Sequence, residues 1–387
     1  MSSAQAPGRE TRIVGLDGLR ALSILLVVLG HGWSTIPIAR DVPSVGGYLG
    51  NSSLGVATFF VISGYLITFL LCNERRRSGT ISLPSFYMRR VLRIFPALYL
   101  YLFVLILVRA LGLIHTTNGD LGIAATYLAN YNHLLPVATN ADYWFVGHFW
   151  SLSLEEQFYL LWPVTLLLAG LTRGRGVALL IVCASPVMRV ITYAFWPEAR
   201  GQIGMMLQTS VDSIMVGCYL ALVEEQTRLT AFWNKVSSWV WPLAAGVFLV
   251  LVSPWMKFRF EGAYTITIGM TLNSLAIALL IGWVMKNPAS GLSRALSTPV
   301  LRYIGTRSYG LYLWQQFFLA PTVALWIVPF PLNMLASLMA AECSYRFVER
   351  PFLGMRDRFR GASRGADRIE PPLTSIPFRA TQPAIDR

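Results

Sequence analysis

Ten separate stretches of about twenty mostly apolar residues run through this chain, at 14–33, 53–72, 91–113, 149–170, 176–196, 206–223, 237–255, 263–285, 306–328 and 331–348. Each is long enough to cross a hydrocarbon core of roughly 30 Å as an α-helix, which needs about 20 residues. In lipid every backbone amide must be satisfied within the protein, so long apolar runs commit the chain to helices. Composition supports the same conclusion. Hydrophobic residues make up 55% of the 387 positions and charged residues only 13%, against about 25% charged in ordinary globular proteins. A water-soluble fold of this length lacks the interior to hide that much apolar surface. The expected class is an all-α polytopic membrane protein of about ten transmembrane helices. The expected organisation is a short cytoplasmic segment at 1–13, a membrane domain at 14–352 and a disordered basic cytoplasmic tail at 353–387.

The net charge of +13 would suggest nucleic acid in a soluble protein, but here the placement of the charges points to a membrane and no nucleic acid is expected. If the amino terminus is cytoplasmic, 26 Lys and Arg residues fall in cytoplasmic segments. Only Arg40, Arg200, Lys257 and Arg259 fall outside. Positive residues concentrate on the cytoplasmic side of membrane proteins, so both termini are expected inside and the span count even. The weakly apolar segment DLGIAATYLANYNHLLP at 119–135 would break this pattern if it crossed. Residues 114–148 are read as an outer loop with a short interfacial or re-entrant helix. The arginines of the tail fit a solvated segment that enforces topology better than one resting on anionic membrane lipids. Cys72, Cys183, Cys218 and Cys343 are too scattered for a disulfide framework or a CxxC site, and no metal is expected.

Ionisable residues inside spans are expensive and mark functional candidates. The first span, GLDGLRALSILLVVLGHGW, carries Asp17, Arg20 and His31. Eleven residues separate Arg20 from His31, which is three helical turns plus about 20°, so they share a face with an axial separation of roughly 16 Å. Asp17 lies within pairing distance of Arg20 at i, i+3. Read singly, His31 fits an interfacial histidine beside Trp33, and Arg20 a snorkelling residue; the shared face favours a polar path lined by both. In SFYMRRVLRIFPALY, Arg90 and Arg93 stand one turn apart. They suit either simple orientation or a guanidinium fork for phosphate oxygens. In HFWSLSLEEQFYLLWP, Ser153 and Glu156 have capping-box spacing, while Glu155, with His148 just upstream, is placed to orient or assist an acid–base histidine. Asp212 reads most simply as a partner for an arginine, and Glu342 as a partner for Arg346. No Walker A, GxGxxG, HExxH or GxSxG motif is present.

Taken in order, LDGLRALSILLVVLGH, FFVISGYLI, FYMRRVLRIFPALY, FWSLSLEEQFYLLWP, VDSIMVG, IGTRSYGLYLWQQ and YRFVERPF resemble the integral-membrane acyltransferase-3 family over about 16–352. The resemblance implies a ten-helix domain in the bacterial plasma membrane. It also implies transfer of an acyl group, commonly acetyl, from cytoplasmic acyl-CoA to a hydroxyl of a glycan, glycolipid or macrolide acceptor. On this reading His31 is the essential histidine and Arg20 its motif partner. Arg90, Arg93 and Arg20 hold the CoA phosphates, and Glu155 or Asp17 fixes the histidine tautomer or balances charge. His148, Trp150, Tyr159 and Asp212 are the candidate substrate-binding residues. Many relatives carry His directly after the Trp of the LYLW segment, where this chain has Gln315. The sequence also stops without the extracytoplasmic hydrolase-like domain that some relatives carry, and shorter members are expected to act on envelope polysaccharides, lipid-linked sugars or secreted metabolites. The rival class, a transporter or flippase, calls for inverted repeats and broken spans in matching halves, which the sequence does not display.

Overall fold

A computed structural model describes residues 15–35, 51–134, 141–223, 236, 238–320 and 331–355. The expected amino-terminal segment, most of the first outer loop and nearly all of the basic tail lie outside these residues. All regular structure among the described residues is helical. In chain order the main helices are α1 (Leu16–Gly32), α2 (Ser52–Ser78), α3 (Leu83–Ala110), the short α4 (Asn118–Ala125), α5 (Phe149–Phe195), α6 (Asp212–Val223), α7 (Val240–Val247), α8 (Ser253–Tyr264), α9 (Met270–Lys286), α10 (Pro299–Thr306), α11 (Ser308–Phe318) and α12 (Leu332–Ser344). Each of the ten apolar stretches falls, in whole or part, on one or more of these. Four helical stretches, 52–78, 83–110, 144–195 and 240–286, are long and apolar enough to cross a membrane by length and composition, the last two with breaks at Gly170 and Glu261. At eight residues α4 is too short to cross, in keeping with a surface helix in the 119–135 segment.

The apolar stretches at 149–170 and 176–196 lie on two helical parts of α5 that meet at a break at Gly170, whose φ of 77° and ψ of 169° leave the helical region. Only glycine takes such a conformation without strain. Arg75 at the end of α2 donates through Nη1 to the carbonyl of Leu166, one turn before the break, at 2.8 Å.

Small residues set the closest helix approaches. A Cβ added at Gly64 of α2 would stand 1.9 Å from the carbonyl oxygen of Ile214 in α6, and one at Gly217 of α6 would stand 2.1 Å from that of Val61 in α2. Close backbone approach of this kind substitutes for the hydrophobic drive that lipid removes. Among the described residues, helices α2 and α6 form the most extensive pairing, followed by α1 with α2.

A buried ion pair pins α5 to α6. Arg189 and Asp212 are both fully buried, with Arg189 Nη1 donating to Asp212 Oδ2 at 3.0 Å. Thr271 of α9 donates to the same carboxylate oxygen at 2.5 Å. Arg189 also donates to the carbonyls of Ile266 and Thr209, each at 2.8 Å, and to Thr271 Oγ1 at 2.6 Å. Asp212 is therefore held by Arg189 and Thr271, the arginine-partner role, and does not line the site described next.

Candidate active site

The first span and α11 rise side by side. Near the start of both, Arg20 Nη2 donates to Ser308 Oγ at 2.9 Å; near their far ends, His31 Nδ1 meets Gln315 Oε1 at 3.0 Å. Eleven residues of α1 thus match seven of α11, a difference of about 6 Å in helical rise that the long Arg20 side chain covers. The shared face of Arg20 and His31 read from their spacing is the face that α11 packs against. The next residue, Tyr309, donates to the carbonyl of Ile94 at 2.9 Å and ties α11 to α3.

Where α1, α2, α3, α5 and α11 converge there is a cleft with about 840 Å³ of atom-free space including its mouth, of which about 90 Å³ is open to the centre of a water molecule. Its wall contains Arg20, Arg90, Arg93, Glu155 and Tyr159. Three distant sequence segments therefore bring their polar candidates to one place. Ser63 of α2 and Tyr159 both donate to the same oxygen of Glu155. The Arg90 guanidinium lies over the rings of Phe86 and Tyr159, 5.5 Å and 5.2 Å from their centroids, while its Nε is buried without a hydrogen-bond partner among the described residues.

A second polar cluster adjoins the cleft through Ser151 and Tyr312, which are in its wall. These two hydroxyls are 2.5 Å apart, and both reach the carbonyl of His148, at 3.1 Å and 3.2 Å. His148 donates to Gln316 Oε1 from its backbone nitrogen at 3.1 Å and from Nδ1 at 2.5 Å. Trp144 donates to the carbonyl of Gln316 at 2.8 Å and sets its ring edge-on to His31, with centroids 5.5 Å apart. The adjacent glutamines at 315 and 316 thus each hold one histidine, and His31 and His148 belong to one cluster. His31 itself is not part of the cleft wall.

Several sequence expectations are redistributed. Glu155 belongs to the arginine cleft, bonded to Ser63 and Tyr159, while the side chain on His31 Nδ1 is Gln315; neither Glu155 nor Asp17 occupies that place. Asp17 lies outside the cleft wall, with its own carbonyl against the close approach of Gly305. Trp150 packs edge-on to Phe60, with centroids 6.1 Å apart, behind the wall rather than in it. The capping box of Ser153 and Glu156 does not form: the helix already starts at Phe149, Ser153 donates back to the Phe149 carbonyl at 2.8 Å, and Glu156 turns to the cleft. Glu342 does pair with Arg346, and also with Arg307. Ser63, which bonds Glu155, and Gln316, which holds His148, escaped the sequence reading. No group of three His, Cys, Asp or Glu side chains able to hold a metal occurs among the described residues.

Set against known proteins, the chain matches the acyltransferase domain of the acyltransferase-3 family over residues 13–341. It belongs to that membrane-protein family. Among curated proteins it is 31% identical over 365 residues to a putative peptidoglycan O-acetyltransferase of Bacillus subtilis, covering 88% of this chain and 54% of that protein. A putative O-acetyltransferase of Staphylococcus aureus is 29% identical over 378 residues, covering 88% and 57%. The peptidoglycan O-acetyltransferase of Listeria monocytogenes is 28% identical over 378 residues, covering 90% and 57%. The chain spans little more than half the length of these relatives. No solved structure matches it.

Proposed function

We propose that this chain is a membrane O-acyltransferase that moves an acetyl group from cytoplasmic acetyl-CoA to a hydroxyl of a cell-envelope glycan. The observation that carries the reading is the pairing of two features along one helix face: an arginine cleft at Arg20 and a glutamine-held histidine at His31. In this reading Arg20, Arg90 and Arg93 grip the phosphates of acyl-CoA, since guanidinium forks bind phosphate oxygens bidentately. The pantetheine arm extends toward His31, bridging the roughly 16 Å of helical rise. The acceptor hydroxyl oxygen attacks the thioester carbonyl carbon while neutral His31 takes the hydroxyl proton. The C–S bond then breaks, and the imidazolium returns the proton to the leaving thiolate. General-base help of this kind contributes about 10²–10⁴-fold.

The names of the relatives favour a peptidoglycan-like acceptor over a macrolide. The reading also places ten spans in a bacterial plasma membrane with both termini cytoplasmic, which puts the arginine cleft on the side where CoA resides. The test is direct. Full-length protein in sealed proteoliposomes, given acetyl-labelled CoA and muropeptides or polysaccharide, should produce a labelled, base-labile ester on the glycan. Absence of transfer to any hydroxyl-bearing glycan, with a macrolide panel labelled instead, would overturn the acceptor class.

A further inference from the structure

We infer that Gln315 is the positioning residue that fixes the tautomer and ring orientation of His31. The inference rests on His31 acting as the base in the reading above. Gln315 is fully buried, and an amide buried in an apolar helix interface costs free energy unless its polar atoms are paired. Its Oε1 accepts from His31 Nδ1 at 3.0 Å, while its Nε2 is buried without a partner among the described residues. The amide therefore has one bond in return for its burial, and that bond is to the histidine. A leucine would pack in the same place without an orphaned donor.

The chemistry of the bond is specific. An amide oxygen only accepts, so the Nδ1 it meets carries the proton, and in the neutral ring the lone pair then resides at Nε2. A base held this way presents one defined nitrogen to its proton. The Trp144 ring edge-on to His31 and the hydrogen bond from Trp144 to the Gln316 carbonyl brace the same turn of α11. The neighbouring pair repeats the device: Gln316 Oε1 accepts from His148 Nδ1 at 2.5 Å. Partners of this kind are worth about 10- to 100-fold in activity where they orient a ligating histidine. Gln315 acts through His31 and not on the acceptor or the thioester.

The experiment uses the full-length protein in proteoliposomes with acetyl-CoA and a glycan acceptor, comparing Gln315→Leu and Gln315→Glu. Loss of the acceptor oxygen in Gln315→Leu should lower kcat by about 10- to 100-fold, with KM for acetyl-CoA within about twofold of wild type. Gln315→Glu retains an acceptor oxygen and should recover most of kcat. Because the chain has four histidines, ¹⁵N-histidine labelling gives a second readout that needs no turnover. His31 should show a protonated Nδ1 and an unprotonated Nε2 in the wild type, and a mixture of tautomers in Gln315→Leu. Wild-type kcat in Gln315→Leu, or an Nε2-protonated His31 in the wild type, would overturn the inference. Full activity of His31→Gln would instead overturn the general-base reading on which it rests.

Discussion

Removing the carboxylate of Asp212 should destabilise this protein without touching its chemistry. Asp212 Oδ2 accepts from Arg189 at 3.0 Å and from Thr271 at 2.5 Å, with both charged side chains fully buried. Breaking a buried pair by deleting one partner typically costs about 3–5 kcal/mol, because the surviving charge is left uncompensated. Arg189 retains its bonds to the Ile266 and Thr209 carbonyls and to Thr271, so Asp212→Ala belongs at the lower end, about 3 kcal/mol. For a domain of this size that corresponds to a fall in Tm of roughly 4 °C. Replacing both members by apolar residues, Asp212→Leu with Arg189→Met, should recover much of the loss, which a double-mutant cycle on detergent-solubilised protein would read. At a temperature where Asp212→Ala remains folded, KM for the acceptor should equal that of the wild type. An unchanged Tm together with a raised acceptor KM would refute this assignment and return Asp212 to substrate binding.

Other perturbations separate the cleft, the packing and the topology. Arg93→Ala should raise KM for acetyl-CoA at least several-fold, and Arg93→Lys should restore it only in part because lysine lacks the fork; wild-type CoA kinetics in both would leave Arg90 and Arg93 as topological charges. Gly217→Val forces a side chain into the 2.1 Å gap above the Val61 carbonyl, and should abolish accumulation of monodisperse protein, read by gel filtration of a fluorescent fusion. A reporter fused after residue 355 should read cytoplasmic and one inserted near Asn118 extracytoplasmic; the reverse would put the arginine cleft on the wrong side of the membrane for CoA.

Much of this architecture was legible in the residues themselves, wherever one helix carries the information. The apolar stretches mark the helices because burial in lipid tolerates nothing else. The common face of Arg20 and His31 follows from helical periodicity, as does the turn between Arg90 and Arg93. What periodicity does not carry is which helix lies opposite. The contact of His31 with Gln315 spans 284 positions, and the bond of Ser63 to Glu155 spans 92. Both depend on helix pairings set by backbone approaches such as Gly64 on Ile214 and Gly217 on Val61, and a glycine in an apolar run does not announce its partner. The same holds beside the Gly170 break, where the arginine on the Leu166 carbonyl, Arg75, comes from another helix. Glu155 and Glu156 exchanged expectations for a related reason: Glu155 found local partners in Ser63 and Tyr159, and Glu156 had no helix start to cap because the helix begins seven residues earlier, at Phe149.

The central claim is that His31 moves a proton while the arginine cleft about 16 Å of helical rise away holds the donor, and one substitution separates the two roles. His31→Gln retains a polar side chain of similar size but cannot take a proton. Measured on full-length protein in proteoliposomes, it should show no acetyl transfer above background yet bind acetyl-CoA with the wild-type Kd. The wild-type rate should fall as the pH drops through the histidine's titration, since only the neutral ring is a base. Substantial transfer by well-folded His31→Gln would contradict the account and leave His31 as a packing residue.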